Sequence, residues 1–142
     1  MSKPSSKPAA GQADTVYFPV ESCAGVAGPD AAAYDRRWFV TDSEGRWLSR
    51  GQHPRLEEVE VTLRYGYLVM RAPGMLRMDI PLDVIEDDDS VRRQAYVGDQ
   101  QVVAVDEGDL AAAWMSNFLG VPARLYKVHP EAPAVAWKPA GA

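Results

Sequence analysis

Glycine, proline and aspartate interrupt this chain every few residues, and between the interruptions apolar side chains alternate with polar ones. That combination points to short strands joined by tight turns. The clearest case is a run in which Val59, Val61 and Leu63 alternate with Glu58, Glu60 and Thr62, the period of a strand with one buried face. Tyr65-Gly66 turns it, residues 67–70 answer as the next strand, and Ala72-Pro73-Gly74 breaks the chain again. Residues 15–18 form a β-branched and aromatic strand that stops at Pro19. Residues 37–41 and 46–49 read as the arms of a hairpin around Asp42-Ser43-Glu44-Gly45. Further strands are expected at 77–80, at 102–105 after the Gly98-Asp99 turn, and at 124–128.

One segment has a different period. Leu110, Ala113, Trp114, Asn117 and Phe118 follow helical spacing. Asp106 is placed to cap the start, Gly120 to take a left-handed backbone at the end, and Pro122 to block continuation. The expected fold is mainly β (α+β): a small antiparallel β-barrel of about seven to nine strands, with one α-helix in its C-terminal half packed on it. Within 142 residues the expected organisation is a disordered tail at 1–14, a domain at 15–129 and a Pro-rich C-terminal tail at 130–142. Trp137 in that tail either folds back onto the domain or meets a partner.

A net charge of −5 gives no broad attraction to nucleic acid or anionic lipid, so neither is an expected partner. No apolar run approaches the ~18 residues of a membrane span, and the N-terminus lacks the apolar core of a secretory signal. The cytoplasm is the expected location. Cys23 is the only cysteine, so the chain has no intrachain disulfide framework. It reads as a small buried thiol or, if a base lies within reach, a nucleophile. His53 and His129 stand in unrelated contexts, and no metal site is expected. The run Glu86-Asp87-Asp88-Asp89 reads as a solvated loop, because it lacks the alternating ligands and central glycine of a calcium loop. Gly25, Gly28 and Pro29 fit neither nucleotide-binding glycine pattern. Arg36 and Arg37 open a strand, so alternation sends them to opposite faces. An arginine on a rigid strand suits an oxyanion through its planar fork, or else pairs structurally with Asp35.

Residues 17–25, Tyr-Phe-Pro-Val-Glu-Ser-Cys-Ala-Gly, resemble the Tyr-Pro-(Ile/Val)-Lys-Ser-Cys-x-Gly opening of the MOSC N-terminal β-barrel domain. Tyr34-Asp35-Arg36-Arg37-Trp38 is similar to that family's Tyr-Asp-Arg-x-Trp strand. Gly45-Arg46-Trp47-Leu48-Ser49 and Pro54-Arg55-Leu56 resemble its later motifs, and Asp106-Glu107-Gly108 its Asp-Cys-Gly helix start. In two-domain relatives this barrel and a MOSC (molybdenum cofactor sulfurase C-terminal) domain jointly hold the molybdenum cofactor. The resemblance implies that the MOSC half ligates the metal, while a Lys-Ser pair and the Asp-Arg arginine of the barrel contact the pterin and its phosphate. By position these contacts reach Ser22 and Arg36. The lysine is Glu21 here, and a carboxylate beside a phosphate repels it. Gly51 stands where relatives often carry arginine, with Arg50 one place earlier and facing away if the segment is extended.

The chain is therefore expected to be the barrel alone, with no catalytic residue and no cofactor on the isolated chain. Its expected role is a non-catalytic module with Ser22 and Arg36 facing a small polar or anionic ligand, or a protein partner. That partner is a MOSC-type domain in trans or a second copy. The alternative is an accessory subunit that completes a molybdenum-cofactor oxidoreductase or sulfur-transfer enzyme.

Overall fold

The computed structural model describes residues 15–82 and 92–139. The N-terminal tail at 1–14 and the acidic run at 86–89 lie outside the described residues. The fold is mainly β with one α-helix, and the described residues contribute ten strands in three sheets. That is slightly more than the expected seven to nine strands, because β1 (Val16–Tyr17), β2 (Val20–Glu21) and β3 (Val26–Ala27) are two-residue pieces. β1 and β3 pair antiparallel as a small ribbon.

The principal sheet holds β2, β4 (Trp38–Thr41), β8 (Arg92–Val97), β9 (Gln100–Asp106) and β10 (Arg124–Val128), in the order β2-β4-β10-β9-β8. Its pairings are antiparallel except that β2 runs parallel to β4, with Val20 opposite Trp38. Parallel neighbours need a crossover. The chain makes it through β3 and a 3₁₀ turn at Pro29–Tyr34. A second sheet is the meander β5 (Glu60–Arg64), β6 (Tyr67–Arg71) and β7 (Met78–Pro81).

The turn between residues 41 and 47 forms as its composition predicts. Asp42 Oδ1 accepts from the N–H groups of Glu44 and Arg46, and Gly45 takes a φ of 85°. A Cβ at Gly45 would also lie 3.2 Å from the Gln94 carbonyl oxygen, so both backbone and space call for glycine. The return arm forms isolated bridges rather than a strand, Thr41 with Trp47 and Arg46 with Tyr96. Leu48 N–H donates to Val40 O, and Trp47 N–H donates to Tyr96 O.

Helix α1 (Asp109–Leu119) ends on Gly120 in the left-handed region, as expected. Its start differs from expectation. Gly108 is the N-cap residue, and Asp106 acts one step earlier by accepting the Gly108 N–H at 2.9 Å. The buried face is rotated too: Ala111, Ala112, Trp114, Met115 and Phe118 are covered, whereas Leu110 is 83% exposed. Two small alanines let the helix approach the sheet closely, and Trp114 anchors it by donating its indole N–H to Leu76 O at 2.7 Å. Arg124 ties β10 to this helix start, reaching Asp106 and Asp109 at 2.8 Å each. Those two carboxylates hold its guanidinium pKa above the ordinary value.

The main core lies between the principal sheet, the meander and α1, with Trp38, Val40 and Leu125 meeting Leu68, Met70, Met115 and Phe118. A smaller apolar cluster sits on the opposite face of the principal sheet. Because Leu125 is fully buried between layers, Leu125→Ala should cost about 2–5 kcal/mol. Leu110→Glu should change stability by less than about 0.5 kcal/mol. Urea midpoints of the two variants check both values.

Candidate functional site

The ring of Phe18 is the centre of the edge to which the family motifs map. Two guanidinium groups lie over it: Arg36 at 5.5 Å from the ring centroid and Arg50 at 4.8 Å. A glycine makes room for this ring. A Cβ at Gly25 would fall 2.3 Å from Val16 Cγ1 and 3.1 Å from Phe18 Cε2. Asp35 organises the group from the other side, accepting the Phe18 N–H at 2.8 Å and pairing with Arg36 at 3.0 Å. The pair is partly exposed, so it orients Arg36 more than it stabilises the fold.

Arg36 does not alternate with Arg37 as strand residues would. Its φ is 53°, in the left-handed region, and β4 begins only at Trp38. Both arginines consequently border one cleft of about 400 Å³, whose opposite wall is Pro133, Val135 and Trp137. Arg50 also departs from expectation. Residues 49–53 turn rather than extend, with Gln52 N–H and His53 N–H both donating to Ser49 O. The turn returns Arg50 to Phe18, where it donates to Cys23 O at 2.9 Å and lies 3.8 Å from Glu57. Phe18 and Arg50 are thus site residues that the motif comparison missed. The serine and glycine around Arg50 were the available sign of a turn.

Ser22 and Glu21 are arranged differently from a phosphate-gripping pair. Ser22 is fully buried at a φ of 85°, and its Oγ lies 2.7 Å from Glu21 Oε1 and 3.0 Å from Leu48 O. One hydroxyl proton serves these acceptors in turn. Glu21 Oε1 also accepts the Trp47 indole N–H at 3.0 Å. The carboxylate is therefore occupied by two donors of its own chain.

The remaining candidates have structural roles. Cys23 is fully buried, and burial pushes its thiol pKa well above the ordinary value, with Arg50 opposing and Glu21 reinforcing the shift. His53 precedes the 3₁₀ turn Pro54–Glu58, and His129 is buried with Nδ1 accepting the Glu131 N–H. Among the described residues no three His, Cys, Asp or Glu side chains converge to hold a metal ion. No described helix is long and apolar enough to cross a membrane.

The family model for the MOSC N-terminal beta barrel domain matches residues 13–122. The chain belongs to this family. It is 36% identical over 123 residues to molybdenum cofactor sulfurase of Danio rerio, covering 80% of this chain and 15% of that protein. It is 30% identical over 113 residues to mitochondrial amidoxime reducing component 2 of Bos taurus, covering 72% of this chain and 33% of that protein. The chain thus spans a third or less of these relatives. A solution structure of a Bordetella bronchiseptica protein matches with 59% identity and a TM-score of 0.76, over 86% of this chain and 94% of that one.

The departures of this MOSC N-terminal domain from the family motifs each have a local consequence. Glu21 is fastened to Trp47 and Ser22. Glu107, in the Asp-x-Gly helix start, accepts the indole N–H of buried Trp38 at 2.7 Å. Gly51 faces open space, with only Ser49 Oγ at 3.7 Å from a built Cβ. For a molybdenum cofactor, Arg36 and Arg50 are the cationic side chains at this edge that would meet an anionic group. The metal itself does not fit the described donors, since the one thiol is buried and held protonated.

Cys23 yields a test of this geometry. Its thiol keeps its proton in the folded state at a pH where the unfolded thiol, with an ordinary value of 9.0, has lost it. The unfolded chain then binds fewer protons than the folded one, so stability is full below about pH 9 and falls above it, by up to about 1.4 kcal/mol per pH unit. Cys23→Ala should flatten that alkaline fall in denaturant titrations between pH 8 and 10. The native thiol should also resist aromatic disulfide reagents until the chain unfolds.

Proposed function

We propose that this MOSC N-terminal domain is a non-catalytic binding module whose ligand-facing edge is the Phe18, Arg36 and Arg50 cluster. The observation that carries this reading is backbone strain. Among the described residues, three non-glycine positions have a positive φ: Ser22, Arg36 and Tyr65. Tyr65 sits in the hairpin turn with Gly66, between β5 and β6, where that conformation is ordinary. Ser22 and Arg36 each take the third place of a hydrogen-bonded β-turn, closed by Cys23 N–H to Val20 O and Arg37 N–H to Tyr34 O. That place favours glycine, and these are the two positions that the family resemblance implies as cofactor contacts. Such conformations cost on the order of 1–3 kcal/mol each and persist where the surroundings impose them, commonly at ligand sites.

Electrostatics narrows the ligand. Arg36 and Arg50 are accompanied by Asp35, Glu57 and the nearby Glu21, so the edge is close to charge-balanced. A balanced edge suits a small polar or singly anionic group better than a multiply charged phosphate. Phe18 adds an apolar platform beside the two forks.

Amide shift titration with inorganic phosphate and with acetate tests the site. The largest shifts should cluster at Phe18, Arg36, Arg50 and Gly51. Arg50→Ala should weaken the response by about tenfold, the order expected for losing one charged hydrogen bond. Gly51→Arg should strengthen it several-fold. Shifts scattered over the surface, or unchanged in Arg50→Ala, would remove the site.

A second reading is supported by the relatives themselves, a molybdenum cofactor sulfurase and a mitochondrial amidoxime reducing component. In this reading the chain is an accessory barrel that binds a separate MOSC domain and so completes a molybdenum-cofactor oxidoreductase or sulfur-transfer enzyme. Co-purification with such a domain, together with molybdenum in the complex and not in the chain alone, is its expected signature.

A further inference from the structure

The outer face of the principal sheet is apolar, built from Phe39, Ala95, Val97, Val102, Ala104 and Tyr126. A sheet face of this composition needs a cover. The cover lies beyond the family match, which ends at residue 122. It is the segment 130–139, which carries neither helix nor strand.

The way this segment is held has the character of peptide recognition. Val135 and Trp137 pack against the face two residues apart, the spacing of an extended chain. Trp137 meets Phe39 and Trp47 edge-to-face, with centroids at 5.5 and 5.7 Å. Between these anchors, the side-chain amide of Gln100 grips the main chain on both sides. Its Oε1 accepts the Ala136 N–H at 2.9 Å, and its Nε2 donates to Ala134 O at 3.1 Å. A two-point amide contact reads extended backbone whatever the side chains, while the aromatic wall reads the tryptophan. Pro130, Pro133 and Pro139 restrict the segment's backbone in advance and lower the entropy of ordering it.

We propose that this face is a groove for an extended apolar-x-tryptophan peptide. It is filled in cis by the chain's own C-terminal segment and, when that segment detaches, in trans by the same segment of a second copy. The second copy is the occupant because it presents the identical Val-x-Trp sequence on a short connection after β10, so exchange preserves every contact. The segment belongs to no strand ladder, which makes local detachment easier than unfolding of the sheet. The proposal does not depend on the ligand reading at Arg36.

A short tether gives the cis segment an effective concentration on the order of millimolar, so a free peptide competes poorly with it. Two changes confined to the segment should release it in the full chain: Trp137→Ala, and Ala136→Pro, which deletes the N–H that Gln100 accepts. A fluorescent peptide with the sequence of residues 130–142 should bind either variant at least about tenfold more tightly than the unaltered chain, measured by anisotropy. Adding Gln100→Ala should return binding to the unaltered level, and a peptide with alanine for its tryptophan should not bind. Mixing Trp137→Ala, whose groove is empty, with Gln100→Ala, whose segment is released from its own groove, should give a heterodimer by light scattering. Folded variants that bind no peptide, or binding that survives Gln100→Ala, would overturn the groove. Unfolding of both variants would overturn a detachable segment, and peptide binding without the heterodimer would overturn the second copy as occupant.

Discussion

The structure depends on one short strand that is buried on both sides. All four residues of β4 are covered, with Trp38 and Val40 directed into the main core and Phe39 into the outer cluster. β4 also has a ladder on each edge, parallel to β2 and antiparallel to β10. Burying Trp38 leaves an indole N–H that must find an acceptor, and Glu107 supplies it at 2.7 Å. That single bond joins β4 to the segment just ahead of α1. It also explains why a carboxylate is useful at a position that departs from the family motif.

Both faces of functional interest are set by this strand. Toward one end, its parallel neighbour β2 carries Glu21, and the chain just ahead of it carries Arg36. Across its outer side, Phe39 receives Trp137, and Trp137 in turn touches Trp47, the residue that holds Glu21. The Arg36 edge and the C-terminal segment are therefore neighbours, and Arg36, Arg37 and Trp137 line one cleft. A carboxylate near a prospective oxyanion site would ordinarily oppose ligand binding. Here Glu21 Oε1 already accepts from an indole N–H, with a hydroxyl in hydrogen-bonding range, so that oxygen is turned to its own chain.

Much of the fold was legible because its rules are local. Alternation along 58–63, the Asp-Ser-Glu-Gly turn and the Gly120 stop all follow from backbone preferences that neighbours seldom override. Three elements were not legible in that way. β8 opens with Arg92, Arg93 and Gln94 on an edge, so it shows too little alternation to declare itself. The buried face of α1 is rotated from the spacing that Leu110 suggested, because Ala111 and Ala112 permit close approach to β10 and Trp114 is tied to Leu76 O. Arg50 lies over Phe18 because its segment turns, which cancels the alternation rule that would send it away.

By itself the sequence determined the mainly β character, the single late helix with its glycine stop, and the family motifs that mark Ser22 and Arg36. These are properties of short windows, where propensity and pattern act within a few residues. Only the tertiary structure decided that Ser22 is buried with its hydroxyl committed, and that Arg36 shares Phe18 with Arg50. It alone decided that Trp137 closes the outer face of the sheet. The physical reason is range. Each of these outcomes joins residues far apart in sequence, from 14 to 98 positions, and is settled by which polar groups need partners and which apolar faces need covering once the chain has packed.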